Sequence, residues 1–527
     1  MRILYLKNGI SVVTLVTALS FYATGGFAQP IPTSSSASTF NPVYGEVIPT
    51  CDCEDLTKVT IPNTTIESAV VDPKNGSCQV TAVVNHPPAN DRVKVWIALP
   101  LKNWNGRFYG TGGGGFMGGN AGRLSEPVAK GFAAGATDTG HDGGSGAFAL
   151  DTVNHRLNWQ SIRDNAYLGI HDMTVVGRAF VQVFYGKPAR YSYFVGASTG
   201  GKQGLMEAQR FPEDYDGIVS MCPAINWSRF LIADLWPQAV MFDAKNYVSK
   251  EKLDAVTKAV ISASDGADGV VDGVIDDPLH CTWDPKVFVG TAVGESKFTE
   301  ADADVVRKIW EGPRAKDGSF LWYGLTRGAN PSALAGTKGN PLTGAPFSIA
   351  LDWFRYFLLL DPKWDGTSLT CDELELLWNQ SVDQYTEVFN ADNPDLTRFR
   401  DHGGKLIIMH GLADQLIFPQ GTINYFERVQ SRMGGTETTS KFARLFLVPA
   451  VDHGFHGAGP GPVGQFDALF RWVEEGKAPD LIMAELRDKS GDIVMTRPLF
   501  PYPQIARYSG SGSTNDAANF LKSLPAH

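Results

Sequence analysis

Between residues 93 and 211 short apolar runs alternate with helical periodicity, and this alternation restricts the fold more than any other feature of the chain. VKVWIALP (93–100), GRFYGTGG (106–113) and KGFAAGATD (130–138) have the length and composition of buried strands. Ala166, Ile170, Met173, Val176, Phe180 and Phe184 then recur at three- and four-residue steps, which predicts an amphipathic helix over 162–184. YSYFV (191–195) follows as a strand and GKQGLMEAQRF as a helix. Strand, helix, strand, helix is the pattern of a parallel sheet covered on both faces, whose ligand crevice lies at the carboxyl ends of the strands. At such an end sits GASTG, Gly196 to Gly200, a G-x-S-x-G turn that would lift Ser198 into solvent. With 56 glycines in 527 residues this match is weak alone, so its partners must decide.

Strand signals return in KLIIMHGLAD (405–414) and ARLFLVPAVDHG (443–454), with an amphipathic FDALFRWVEEG helix at 466–476. The expected architecture is therefore one α/β domain of α/β-hydrolase type, split into 86–223 and 401–527 by an insertion over 224–400. Eight of the twelve tryptophans fall in that insertion. They form either a second core or the inner surface of a lid that closes on a ring-bearing ligand. Residues 1–28 combine a basic start, a short apolar run and a small-residue cleavage site, the features of a secretory signal, and residues 29–85 read as a linker and a stapled segment. Export permits disulfides, and Cys51 or Cys53 with Cys78 would staple that segment. A net charge of -10 argues against nucleic acid as a partner, and no later apolar run has membrane-spanning length. The expected location is secreted or periplasmic.

A nucleophilic serine needs a base and a carboxylate to hold that base, and in α/β hydrolases they follow in the order serine, acid, histidine. Asp414 directly follows the strand KLIIMHGLA, and His453 follows ARLFLVPAVD, so order and placement fit. His456 and His410 are rival bases. Glycine-rich GTGGGGFMGG (110–119) sits after an early strand, where the first oxyanion donor belongs; Gly113 and Gly114 are the candidates, with the Thr199 N–H as the second donor. In DGADGVVDGVIDD (265–277), Asp265, Asp268 and Asp272 offer hard oxygens of the kind calcium prefers, without EF-hand spacing; the alternative is a solvated acidic turn.

These pieces together resemble the tannase and feruloyl esterase family, which includes mono(2-hydroxyethyl) terephthalate hydrolase. The resemblance runs over nearly all the chain after residue 28 and rests on WNGRFYGTGGGG, ATDTGHDG, GASTGGKQGLMEAQRFPEDYDGIV, DGADGVVDGVIDDP, HGLADQLIFP and RPLFPYPQIARYSGSGSTNDAANF, among others. It implies Ser198 as nucleophile, Asp414 as orienter, His453 as base, and a lid calcium held by Asp265, Asp268, Asp272 and the carbonyls of Val270 and Val274. It implies as substrate a small-molecule ester of an aromatic acid. Hydrolysis of other esters or amides, or calcium-dependent binding with an inert triad, are the competing readings. In this family cysteines usually precede the nucleophile and follow the histidine; here those positions hold Ala197 and Gly454. Ser264 stands where the lid usually has a cysteine, leaving Cys281 without its mate, and Phe500 and the Leu521/Lys522 region replace a further pair. Loss of matched partners reads as an exchange of cross-links for packing, so activity is expected to be insensitive to reductants.

Overall fold

The computed structural model describes residues 40–525; the expected signal segment (1–28) and residues 29–39 of the expected linker lie outside the described residues. Nine strands form the central sheet: β1 (Thr64–Asp72), β2 (Ser77–Val84), β3 (Val93–Pro100), β4 (Arg107–Thr111), β5 (Ala133–Thr137), β6 (Tyr191–Ala197), β7 (Gly217–Met221), β8 (Lys405–Gly411) and β9 (Ala443–Val448). Their spatial order is β1-β2-β3-β5-β4-β6-β7-β8-β9. The first three strands and the β3–β5 pair are antiparallel, and every pair from β5 through β9 is parallel. Parallel strands are covered on both faces and so tolerate few polar residues. All five residues of β7 and six of the seven in β8 are buried accordingly.

Helices α1 (Gly169–Tyr185) and α2 (Thr199–Arg210) flank β6 in sequence. α1 continues from a widened turn at Asp164–Leu168 and stops at Gly186, whose positive φ of 65° reverses the chain. The insertion contributes α3 (Trp227–Ala233), α4 (Lys250–Ser264), α5 (Glu300–Glu311) and α6 (Cys371–Phe389), after which α7 (Pro419–Arg432) and α8 (Gln465–Glu475) return to the sheet. Successive residues of a strand point to opposite faces. Phe194 of β6 therefore lies in one buried cluster with Ile170, Met173, Phe180 and Phe426 of α1 and α7, whereas its neighbour Tyr193 lies in another with Ala468, Leu469 and Trp472 of α8.

The tryptophans of the insertion form a second core. Trp227, Trp236, Trp310, Trp322, Trp353 and Trp378 are buried, and Trp283 and Trp364 pack against the same cluster. Polar groups lock its helices: Ser228 N–H donates to Asn390 Oδ1 at 3.0 Å, and Trp353 Nε1 to Ser381 Oγ at 3.0 Å. Phe116 of the glycine-rich loop enters this cluster, stacked on Phe357 at 5.5 Å and edge-on to Trp227 at 5.4 Å, so the loop and the insertion share one hydrophobic unit. Cys53 bonds Cys78 on β2, which resolves the choice between Cys51 and Cys53. Ser264 Oγ lies 3.2 Å from Cys281 Sγ, so the hydroxyl faces the sulfur that the resemblance left without a mate. Among the described residues no helix is long and apolar enough to cross a membrane.

Candidate active site

Ser198 joins β6 to α2 with φ 60° and ψ -123°, a conformation that a side-chain-bearing residue adopts only under constraint. The constraint is a set of backbone bonds: Ser198 N–H donates to Met221 O at 2.9 Å, and its carbonyl accepts from Ala224 and Lys202, both at 3.1 Å. Glycine is required at Gly196, because a Cβ there would sit 2.4 Å from the Gly200 carbonyl. Such a turn leaves the hydroxyl half-buried at the carboxyl end of the sheet.

Asp414 follows β8 and is fully buried. Its Oδ1 accepts the N–H groups of Leu416 and Ile417, each at 2.9 Å, and its Oδ2 meets His453 Nδ1 at 2.8 Å and His410 Nε2 at 3.1 Å. Burial works against its ionisation, but the neighbouring imidazoles outweigh it and hold the carboxyl below the ordinary range. His453 follows β9, its own N–H anchored on Gln415 Oε1 at 3.1 Å. With Nδ1–H donated to Asp414, Nε2 is free to accept, and it lies 3.0 Å from Ser198 Oγ. Three residues spread over 256 positions thus form one hydrogen-bonded row. Burial opposes protonation of this ring, yet the Asp414 charge more than compensates and raises its pKa above the usual imidazole value.

The two rival histidines are placed differently. His410 is fully buried, its Nε2 facing the two acceptors Asp414 Oδ2 and Ile417 O and its Nδ1 held by Thr422 Oγ1 at 2.8 Å. His456 is exposed, and its N–H donates to Asp452.

Of the three expected oxyanion donors, Gly113 has its N–H engaged by Gln203 Oε1 at 3.1 Å, and its carbonyl accepts from Gly200. Gly114 has nothing within 4 Å of where a Cβ would stand, and Thr199 opens α2, so its N–H has no intrahelical acceptor. Gln203, which also donates to Gly118 O at 3.3 Å, and Gln415 are positioning residues that sequence reasoning missed. Each lies inside a quoted motif, GGKQG and HGLADQ, but an amide's partner is not written in its neighbours. Cys222, also missed, directly follows β7, its Sγ 3.5 Å from the His453 carbonyl.

The acidic loop wraps Asp265, whose Oδ1 accepts the N–H groups of Asp272 at 2.9 Å and Gly273 at 3.0 Å. Asp276, not anticipated from sequence, joins the group: burial first, then the adjacent Asp268 and Asp272, push its carboxyl up to about 8. Arg497 pairs with Asp272 and offsets part of this crowding. No hydrogen bond of the described residues ends on the carbonyls of the buried Val270 and Val274. Crowded carboxylates and carbonyls without hydrogen-bond donors are hard oxygens of the type calcium prefers, although Asp265 already accepts backbone N–H groups on both oxygens.

Sheet order, a serine at a β-to-α turn, and an acid and a histidine at later strand ends define the α/β-hydrolase fold class. Feruloyl esterase B from Aspergillus oryzae shares the fold with a TM-score of 0.78 at 26% identity, over 89% of this chain and 99% of that one. The chain belongs to the tannase and feruloyl esterase family, whose model matches residues 78–523. It is 40% identical to a probable feruloyl esterase of Arthroderma benhamiae, over 87% of this chain and 86% of the relative. It is 31% identical to mono(2-hydroxyethyl) terephthalate hydrolase of Piscinibacter sakaiensis, over 85% of each. The protein is a carboxylic ester hydrolase.

Proposed function

We propose that this chain is an exported serine esterase that hydrolyses esters of aromatic acids through an acyl-enzyme. The carrying observation is the placement of His453 Nε2 3.0 Å from Ser198 Oγ while its Nδ1 lies 2.8 Å from Asp414. His453 takes the hydroxyl proton as Oγ attacks the ester carbonyl, and Asp414 stabilises the imidazolium. The N–H groups of Gly114 and Thr199 hold the oxyanion, while Gln203 fixes the loop through Gly113. The imidazolium then protonates the departing alkoxide; water, deprotonated by the same ring, releases the acid.

The aromatic-acid preference rests on the relatives, named for feruloyl and terephthalate esters, and on the aromatic unit that Phe116 shares with the lid. Calcium would be held by Asp265, Asp268 and Asp272 with the carbonyls of Val270 and Val274, supplying charge neutralisation and a structural clip in the lid. The partner is a small molecule, and the location is secreted or periplasmic.

Labelling by a fluorophosphonate probe tests the reaction class: wild type is expected to label and Ser198→Ala not to. Absence of labelling in folded wild type would favour a binding protein with an inert triad. A panel of aryl and alkyl esters is expected to give higher kcat/KM for the aryl acids; equal values across the panel would remove the aromatic assignment.

A further inference from the structure

Behind the nucleophile, three chemistry-bearing side chains from three separate segments converge. His171 stands on α1, Glu207 on α2 and Asp214 in the loop leading to β7. His171 Nδ1 lies 2.6 Å from Asp214 Oδ2, and one ligand atom from each of the three lies within 4.8 Å of the others. Glu207 is 1% exposed, yet neither of its carboxylate oxygens has a hydrogen-bond partner. A carboxylate so placed is missing a positive or proton-bearing group, because an unpaired buried charge is among the costliest arrangements a fold can hold. The mechanism uses none of these residues.

We propose that His171, Glu207 and Asp214 form a site for a divalent transition cation of the Zn2+ class, clamping α2 to α1. One imidazole and two carboxylates are the ligand types such ions accept. Around a tetrahedral ion with bonds of about 2.1 Å, ligands stand about 3.4 Å apart, so the His171–Asp214 pair opens by less than about 1 Å on loading. The surroundings hold the ligands in place. Phe211 stacks on the His171 ring at 3.9 Å and 9°, and Arg178 Nη1 stands 3.9 Å from the other Asp214 oxygen. The His171 side chain is 31% exposed, which gives the ion an entry path and a water in the fourth position. A metal clamp here would brace the far end of the helix whose first turn follows Ser198.

The test uses the full purified protein, stripped with a chelator and kept in excess Ca2+ so that the acidic loop is filled. Zn2+ is then titrated while heat of binding and Tm are recorded. Wild type is expected to bind Zn2+ and melt higher, and Glu207→Gln and His171→Gln are each expected to bind at least about tenfold more weakly, with the Tm gain lost. His171 is partly exposed, so its variant keeps the test open should Glu207→Gln fold poorly. Equal Zn2+ affinity in wild type and His171→Gln would overturn the site. So would a wild type whose Tm ignores Zn2+ while Glu207→Gln melts higher, the signature of a proton shared between Glu207 and Asp214.

Discussion

Two imidazoles share the Asp414 carboxylate, and what separates them is the atom each leaves free. His410 has both ring nitrogens taken within the core, whereas His453 spends only Nδ1 there and turns Nε2 to Ser198. In the proposed mechanism His453 accepts the serine proton only when neutral. Because the Asp414 charge raises its pKa despite burial, the acid limb of kcat/KM is expected above the ordinary imidazole value of about 6.5. Asp414→Asn is expected to move that limb to lower pH and to lower kcat by about 10⁴-fold. A pH–rate profile in which the limb stays in place would show that Asp414 does not govern this ring. Strand position alone does not separate them, since HGLAD and VDHG place both near strand ends; the serine, acid, histidine order and the resemblance are what favour His453. The choice follows from which ring the fold leaves facing the serine.

At the scale of elements, α2 couples Ser198 to the insertion. Lys202, one turn after Ser198, is fully buried with no hydrogen-bond partner, its Nζ 5.0 Å from the ring centre of Trp227 and 4.7 Å from that of Phe389. Burial, helped by the charge of Arg210, depresses it to about 7. The unfolded chain, titrating near about 10.4, therefore binds the extra proton between these values, and this group's contribution to stability rises with pH across that window. Lys202→Met is expected to be the more stable protein near pH 7, with the difference shrinking by roughly 2–4 kcal/mol toward pH 10. Urea unfolding of both proteins at several pH values measures it, and parallel curves would contradict the assignment. The sheet edge carries a separate prediction. Cys53–Cys78 closes a loop of 25 residues, so its reduction should cost about 3–4 kcal/mol of stability. Activity at 25 °C should persist, because β3, β5 and β4 stand between β2 and the nucleophile strand. Loss of activity on mild reduction, with the fold intact by circular dichroism, would refute this.

At the scale of the molecule, the insertion is a second hydrophobic unit held to the first through Phe116, Lys202 and hydrogen bonds such as Thr326 Oγ1 to the Leu412 carbonyl at 2.5 Å. Trp353 lies at its centre, and Trp353→Ala is expected to destabilise by about 3–5 kcal/mol. The loop at 265–276 reaches the C-terminal strand Ile493–Leu499 through the Asp272–Arg497 ion pair. Removing calcium with a chelator is accordingly expected to lower Tm while leaving the kcat of the folded enzyme nearly unchanged; a Tm indifferent to calcium would count against the site.

The sequence alone determined the alternation of strands and helices, the strand ends that carry Ser198, Asp414 and His453, and the split of the sheet by an insertion. These features are written in periodicities of two and 3.6 residues and in turn residues, all within short windows. Only the tertiary structure decided that the tryptophans make a core, that Gln203 takes the Gly113 N–H, that Cys222 lies beneath His453, and that Glu207 faces His171 and Asp214 unpaired. Those outcomes depend on which side chains meet after segments far apart in the chain have packed, and close packing fixes such meetings through shape that no local pattern encodes.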